Sequence, residues 1–555
     1  MSLLCNMNEE LKSSINESDW ESVINIVFTD GENRNFPARE DLIEVLNERG
    51  EEIQSMYDNF DNKQTPKMLD EMRMHFPELS DYSSKPPQVE DYPNLTKAIC
   101  TGLYMEHRIP IYYDELRVKV SELREYLEGE DNRRGRELYM DLTRGWKITD
   151  EKAKDWLLEA TSDIDTELQD YEHEYEAYEN RDVSKFGLIT NDAVKCLEDF
   201  EGRTFPFIRA ICQQVNKNDR VLEVGAGTGV LSITAAIAGA DSVIGLELNP
   251  ITCILSDIIV SDLYRVGILE RKESVNVVWG DALKFGRVEY KQYSDFIFDT
   301  VISENIYTGM FFELQMQMLS RIMENELVEV NREIINGYAH RAMGASVVPS
   351  SMASAAELVD FGDYETDIAS EVLIDIHDKG HDVEKVLSDS QPYDIIDYSV
   401  EEPAGILAKI RFKIKETGKI DAINIYSVVK LSDGDYITRN ENEFLSNDHI
   451  AHLNKSVPVE EGDEVVVTIA YNEADAVTDG IFEVRKVDDE KGIPDKYDAR
   501  LATTEREHEI NKLQFKKSNN IQHDLNLYEL GNMEKLRCSS YFNGYEHTWR
   551  TNLKF

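Results

Sequence analysis

At 555 residues the chain is too long for one hydrophobic core, and about three or four domains are expected. Its 59 basic residues stand against 108 acidic ones, a formal net charge of -49 that repels nucleic-acid phosphates and attracts cationic partners over a Debye length of ~8 to 10 Å. That balance excludes a nucleic-acid binder and leaves two readings, a basic protein substrate or a generally acidic surface such as a salty cytoplasm favours.

Residues 1–160 read as a charged, mostly helical extension with a Pro-containing break near 83–93, and Trp20 and Trp146 read as core. The leading MSLLCNMNEELKSS has neither the basic region nor the apolar run of a signal peptide. Two further helical segments fill 161–215, and strands then alternate with helices to residue 350. The order is VLEVG, LSITAAIAG, SVIGLEL, ITCILSDIIVSDL, VNVVWGD, DTVISE, FFELQMQMLSRIMENEL and GASVVP, which predicts an α/β Rossmann-like domain (161–350) around a parallel sheet. From 351 to 490 short alternating strands (AGILAKIRFKIK, DAINIYSVV, DEVVVTIAY, DGIFEVRKV) predict an all-β, barrel-like domain, and 491–555 form a tail without an assignable fold. Six scattered cysteines without a C-x-x-C pair fit a reducing compartment. The longest apolar stretch, 221–260, is interrupted by Glu223, Asp241, Glu247 and Asp257, which argues against a membrane span and for a soluble, cytoplasmic protein.

The segment VLEVGAGTG (221–229) is an apolar strand running into glycines on alternate positions. Gly225, Gly227 and Gly229 let the backbone turn sharply and approach a ligand, with Glu223 and Ala226 beside them. Eighteen residues on, Glu247 closes the next strand, where a carboxylate can accept from a ribose diol. Asp281, after the third strand, can accept from an adenine amino group, with the Ala282 backbone N–H meeting a ring nitrogen; the plainer reading is a strand-end Asp turn. A dinucleotide fingerprint wants a glycine where Val230 stands. The E-x-G-x-G-x-G spacing instead resembles the S-adenosylmethionine-dependent methyltransferases, which implies S-adenosyl-L-methionine as cofactor and no metal.

Beyond the fourth strand, SENIYTGMFFE (303–313) sets Glu304 and Glu313 nine residues apart across a loop. This resembles the double-glutamate loop of the protein arginine methyltransferases. The resemblance extends to KFGLITND (185–192), similar to the segment that opens that family's cofactor lid helix, and to VVPSSMASAAELVDF and VPVEEGDEVVVTIAY, similar to parts of its β-barrel. It covers 180–490 and implies that Glu304 and Glu313 grip a substrate guanidinium, with an arginine-containing basic protein as partner and a possible homodimer, although no dimerisation arm is identifiable. The chemistry is sound without the family. A guanidinium is cationic and planar with a pKa above about 12, so it is a poor nucleophile until two carboxylates draw charge from two of its nitrogens. Aligning two bound reactants supplies ~7 to 11 kcal/mol.

The chain departs from the family in three places. Asn305, Ile306, Tyr307 and Thr308 replace Trp-Met-Gly-Tyr. The lid arginine, twelve residues after its Phe, falls on Glu198, so Lys195 or Arg203 would substitute. LSNDHIAHL stands where a Thr-His-Trp loop is expected, while His547, Thr548 and Trp549 occur near the C-terminus. Tyr171, Tyr175 and Tyr178 cover a cofactor or form a core stripe; His377 with His381 and His449 with His452 read as polar turns rather than metal ligands. The alternatives are methylation of a small molecule or another protein side chain, and a cofactor-binding scaffold without turnover.

Overall fold

The computed structural model describes residues 10–28, 37–62, 92–144, 149–162, 164–168, 189–285, 297–310, 315–335, 338–361, 374–375, 385–400, 405–432, 435–437, 449–473 and 480–487. Trp146, the three tyrosines at 171–178, Glu313, His377, His381 and the 491–555 tail lie outside them.

The middle of the chain builds the expected parallel sheet. Strands β1 (Arg220–Val224), β2 (Ser242–Glu247), β3 (Val275–Trp279), β4 (Thr300–Ser303) and β7 (Ser346–Val348) pair in the order β3-β2-β1-β4-β7, every pair parallel. Near-continuous apolar runs such as VLEV and TVIS suit strands covered on both faces. The order turns back between β1 and β4, and ligands of such sheets bind at this switch point, beyond the carboxyl ends of the strands.

A hairpin absent from the sequence reading, β5 (Val330–Ile335) with β6 (Tyr338–Met343), precedes β7. The β domain that follows has β8 (Ser351–Asp360), β9 (Ile374–Asp375), β10 (Lys385–Val386), β11 (Gln391–Asp397), β12 (Gly405–Lys413), β13 (Gly418–Ser432), β14 (Asp435–Ile437), β15 (His449–Val459), β16 (Glu464–Asn472) and β17 (Ile481–Lys486). These form one curled antiparallel sheet around β8-β13-β15 and a smaller one, β12-β16-β17. Contacts of β11 with β12 and of β15 with β17 bring the two together as a half-barrel. The expected polar turn at 449–452 is corrected: His449 and His452 belong to β15, and burial of His449 between Tyr307 and the sheet outweighs its polarity.

The N-terminal helices include α1 (Trp20–Phe28), α2 (Arg39–Glu48), α3 (Gly50–Asn62), α4 (Tyr92–His107), α5 (Ile109–Leu127), α6 (Arg133–Thr143), α7 (Asp150–Ala160) and α8 (Ile164–Glu167). After them come α9 (Thr190–Glu198), a π turn (Phe200–Thr204), α10 (Phe205–Gln214), α11 (Val230–Ala238), α12 (Pro250–Arg265) and α13 (Gln315–Glu324). Helix α4 packs on α11, and α5 and α7 pack on α12, so one apolar core runs from Leu11 and Trp20 to Trp279. A second core joins the sheet's other face to the β domain. No helix among the described residues is long and apolar enough to cross a membrane.

Candidate functional site

At the end of β1 the chain turns through Gly225, Gly227 and Gly229 with φ of 72°, 53° and 82°, the left-handed region that a Cβ disfavours. The Gly225 and Ala226 N–H groups both donate to Leu246 O at 2.9 Å, which pins the loop to β2. From α12, Ser256 Oγ donates to Gly227 O at 2.6 Å. Helix α9 crosses above, close enough that a methyl added at Gly227 would meet Ala193 Cβ at 3.5 Å. Glu223 lies beneath, fully buried, and accepts from Ser232 Oγ at the start of α11. Burial pushes its carboxyl up to about 8, with the Ser232 hydrogen bond opposing.

Glu247 closes β2 as expected. Its Oε2 accepts from Gly227 N at 2.8 Å and its Oε1 from Asn249 N at 2.7 Å. A carboxylate has about four acceptor sites, so capacity for a ribose diol remains. Asp281 is buried after β3 and makes the strand-end Asp turn, accepting from Leu283 N at 2.9 Å and from Lys284 Nζ at 2.6 Å. Ala282 beside it is half-buried.

Glu304 leaves β4 at the switch point, and its Oε2 accepts from Arg203 Nη2, the guanidinium delivered by the π turn. Its Oε1 is buried and has no hydrogen-bond partner among the described residues. Burial raises the Glu304 carboxyl above the ordinary value, with Arg203 opposing. For Arg203, burial alone would lower the pKa, but Cys196, Glu304 and Asp199 together outweigh it and the group is held above its usual range. Asn305 bridges the two halves of the site: a methyl on Gly225 would meet its Nδ2 at 2.6 Å and its Oδ1 at 2.8 Å. Tyr307 stacks on His449, ring centroids 5.1 Å apart, and burial lowers the His449 pKa to about 4, so this imidazole is neutral.

The loop after Glu304 is tied down at several points. Gly309 N donates to Ser427 Oγ of β13 at 2.9 Å, and Gln315 Nε2 to Ser303 O at 2.9 Å. Glu473, just past the end of β16, accepts from the N–H groups of Met316 and of Gln317, the latter at 3.2 Å. These anchors carry no local sequence signal, because each lies more than a hundred residues from its partner or is a lone Gln. No group of three or more metal-ligating side chains occurs among the described residues.

Residues 202–257, which run from the π turn through the glycine loop and Glu247 into α12, match the family model of ribosomal protein L11 methyltransferase (PrmA). This is a methyltransferase cofactor segment, and S-adenosylmethionine is the cofactor such a segment holds. No curated protein matches the chain. Among solved structures it is similar to the Trypanosoma brucei PRMT1 enzyme-prozyme heterotetrameric complex with AdoHcy, at 14% identity and a TM-score of 0.39, over 53% of this chain and 96% of that one.

Proposed function

We propose that the chain is an S-adenosylmethionine-dependent methyltransferase acting on arginine guanidinium groups of basic proteins. The observation that carries the acceptor assignment is Glu304, which already grips a guanidinium, its own Arg203, in a buried position across Asn305 from the glycine loop. A carboxylate that satisfies one planar cation through Oε2 has its other oxygen, Oε1, left for a second. The matched family segment ends at residue 257, before this loop, so it bears on the cofactor rather than the acceptor.

The residues present fit the cofactor. The left-handed glycines leave room for close approach, and Glu247 has acceptor sites for a ribose diol. Asp281 and Ala282 border the position for an adenine. Bound there, the cofactor supplies a sulfonium-activated methyl group. Glu304, with Glu313 as its proposed partner, would then hold two guanidinium nitrogens, draw positive charge from the third and aim that nitrogen at the methyl. Arg203, facing the same site, can also meet a cofactor carboxylate in place of the arginine that the count from Phe186 puts at Glu198. The net charge of -49 favours encounter with a basic protein. The chain is read as cytoplasmic, and a homodimer remains part of the proposal.

Incubating the purified chain with methyl-labelled S-adenosylmethionine and a cell extract should label arginine, identified by mass spectrometry. E304Q should lose at least a hundredfold of the rate while still binding cofactor. Label on another side chain or on a small molecule would select a different acceptor. Tight cofactor binding with no transfer at all would select a scaffold.

A further inference from the structure

The N-terminal helices reach the cofactor site through one carboxylate. Glu167, the last residue of α8, is buried, and its Oε2 accepts from Thr190 N at 3.0 Å, from Thr190 Oγ1 at 3.0 Å and from Asn249 Nδ2 at 2.9 Å. Thr190 is the first residue of α9, and the residue before it, Ile189, has no side chain able to cap that helix. Glu167 therefore caps α9 from a distance, taking the part that a Ser or Asp at position 189 would play. Asn249 is the N-cap of α12, its Oδ1 accepting from Ile251 N at 2.8 Å, and its own N–H holds Glu247 Oε1. A single oxygen thus joins the helix that crosses the glycine loop to the turn that orients the ribose-binding acid. Thr252 Oγ1 donates to Thr190 Oγ1 at 3.1 Å and closes the ring.

Two further contacts run the same way. Tyr113 of α5 donates through its hydroxyl to Asn191 Oδ1 of α9 at 2.7 Å. Phe200, which starts the π turn, lies against Gly102 of α4 so closely that a methyl there would come within 2.4 Å of its ring. The N-terminal helices therefore hold both α9 and the turn that delivers Arg203.

We infer that Glu167 is a positioning residue for the cofactor, through which the N-terminal helices form part of the binding site. This rests on the methyltransferase reading above. Charge-assisted bonds from three donors to one buried carboxylate fix α9 against the Asn249 turn, and without them the roof and floor of the site are free to separate.

The test is calorimetric titration of the full-length protein and three variants with S-adenosylmethionine and S-adenosylhomocysteine, alongside thermal unfolding of the ligand-free proteins. E167A should weaken both ligands at least tenfold. E167Q, which keeps an oxygen where the three donors converge, should stay within about threefold of the parent. Y112F removes a hydrogen bond between the same N-terminal helices and α12 at Asp262, 2.9 Å in the parent; it should lower the unfolding midpoint yet leave affinity within twofold. E167A binding within twofold of the parent, or Y112F weakening binding as much as E167A, overturns the inference. A parent protein that binds neither ligand overturns the methyltransferase reading, and this inference with it.

Discussion

Glu304 sits under two opposed influences: burial raises its carboxyl and the Arg203 guanidinium lowers it, with burial the larger. Because the charged form is the one that grips an acceptor, transfer should fall as pH drops through the raised value, on an acid limb above the ordinary carboxylate range. R203A removes the lowering influence, so that limb should move further up in a pH profile of kcat/KM. An unmoved limb would mean that Glu304 does not set it. Gly225 is the second sensitive position. An alanine there would meet a φ of 72°, costing about 1 to 2 kcal/mol, and would press its methyl on Asn305. G225A should weaken cofactor binding more than tenfold in a titration, with a smaller effect on the unfolding midpoint. The placement of the glycines, Glu247 and Glu304 at the strand ends was legible because strand, turn and acid follow one another locally along the chain. Arg203 was legible only as an alternative: a count at α-helical register from Phe186 lands on Glu198, which is exposed, whereas the π turn at Phe200–Thr204 swings the later arginine inward.

At the scale of elements, the docking of α4 and α5 on α12 depends on a polar residue in an apolar face. Asp262 is buried within α12, accepts from Tyr112 Oη at 2.9 Å and Tyr104 Oη at 3.4 Å, and pairs with Arg265 and with Arg108 at 3.8 Å. Their own burial, and then the Asp262 charge, push the tyrosines up, Tyr104 to about 12, so both stay protonated donors. D262A strands two buried hydroxyls, while Arg108 keeps Asp41 at 3.4 Å, and should cost about 3 kcal/mol in chemical denaturation. A loss below about 1 kcal/mol would show that apolar packing alone holds these helices. None of this was readable beforehand, since Asp262 and its tyrosines are separated by about 150 residues. The parallel strands were readable as apolar runs between helices. The β5–β6 hairpin was not, because VNREII and YAHRAM carry charges that blur the alternation. Strand β15 hid behind its two histidines for the same reason.

Across the whole molecule, the cofactor domain and the β domain share one core and a buried ion pair. Arg209 of α10 donates to Asp435 of β14 through Nε at 2.7 Å and through Nη2, both side chains almost wholly buried. Gln213, one turn further along α10, accepts from Ser432 Oγ at 2.6 Å. The apolar cluster that contains Phe207 and Leu222 continues without a break to Ile423 and Val465. A core that crosses the boundary couples the two domains, so they should unfold in one transition despite the sequence pattern that divides them. The ion pair tests this, because a buried charge that loses its partner is costly while a matched apolar pair is not. D435A, which leaves Arg209 charged and enclosed, should destabilise by about 3 to 5 kcal/mol. The double replacement R209M/D435L should recover most of that loss, since neither charge remains to be compensated. Both proteins should show a single denaturation midpoint when followed by tryptophan fluorescence and by far-ultraviolet circular dichroism. Two separated midpoints, or a D435A loss below 1 kcal/mol, would mean that the halves are stable independently and that the bridge only aligns them.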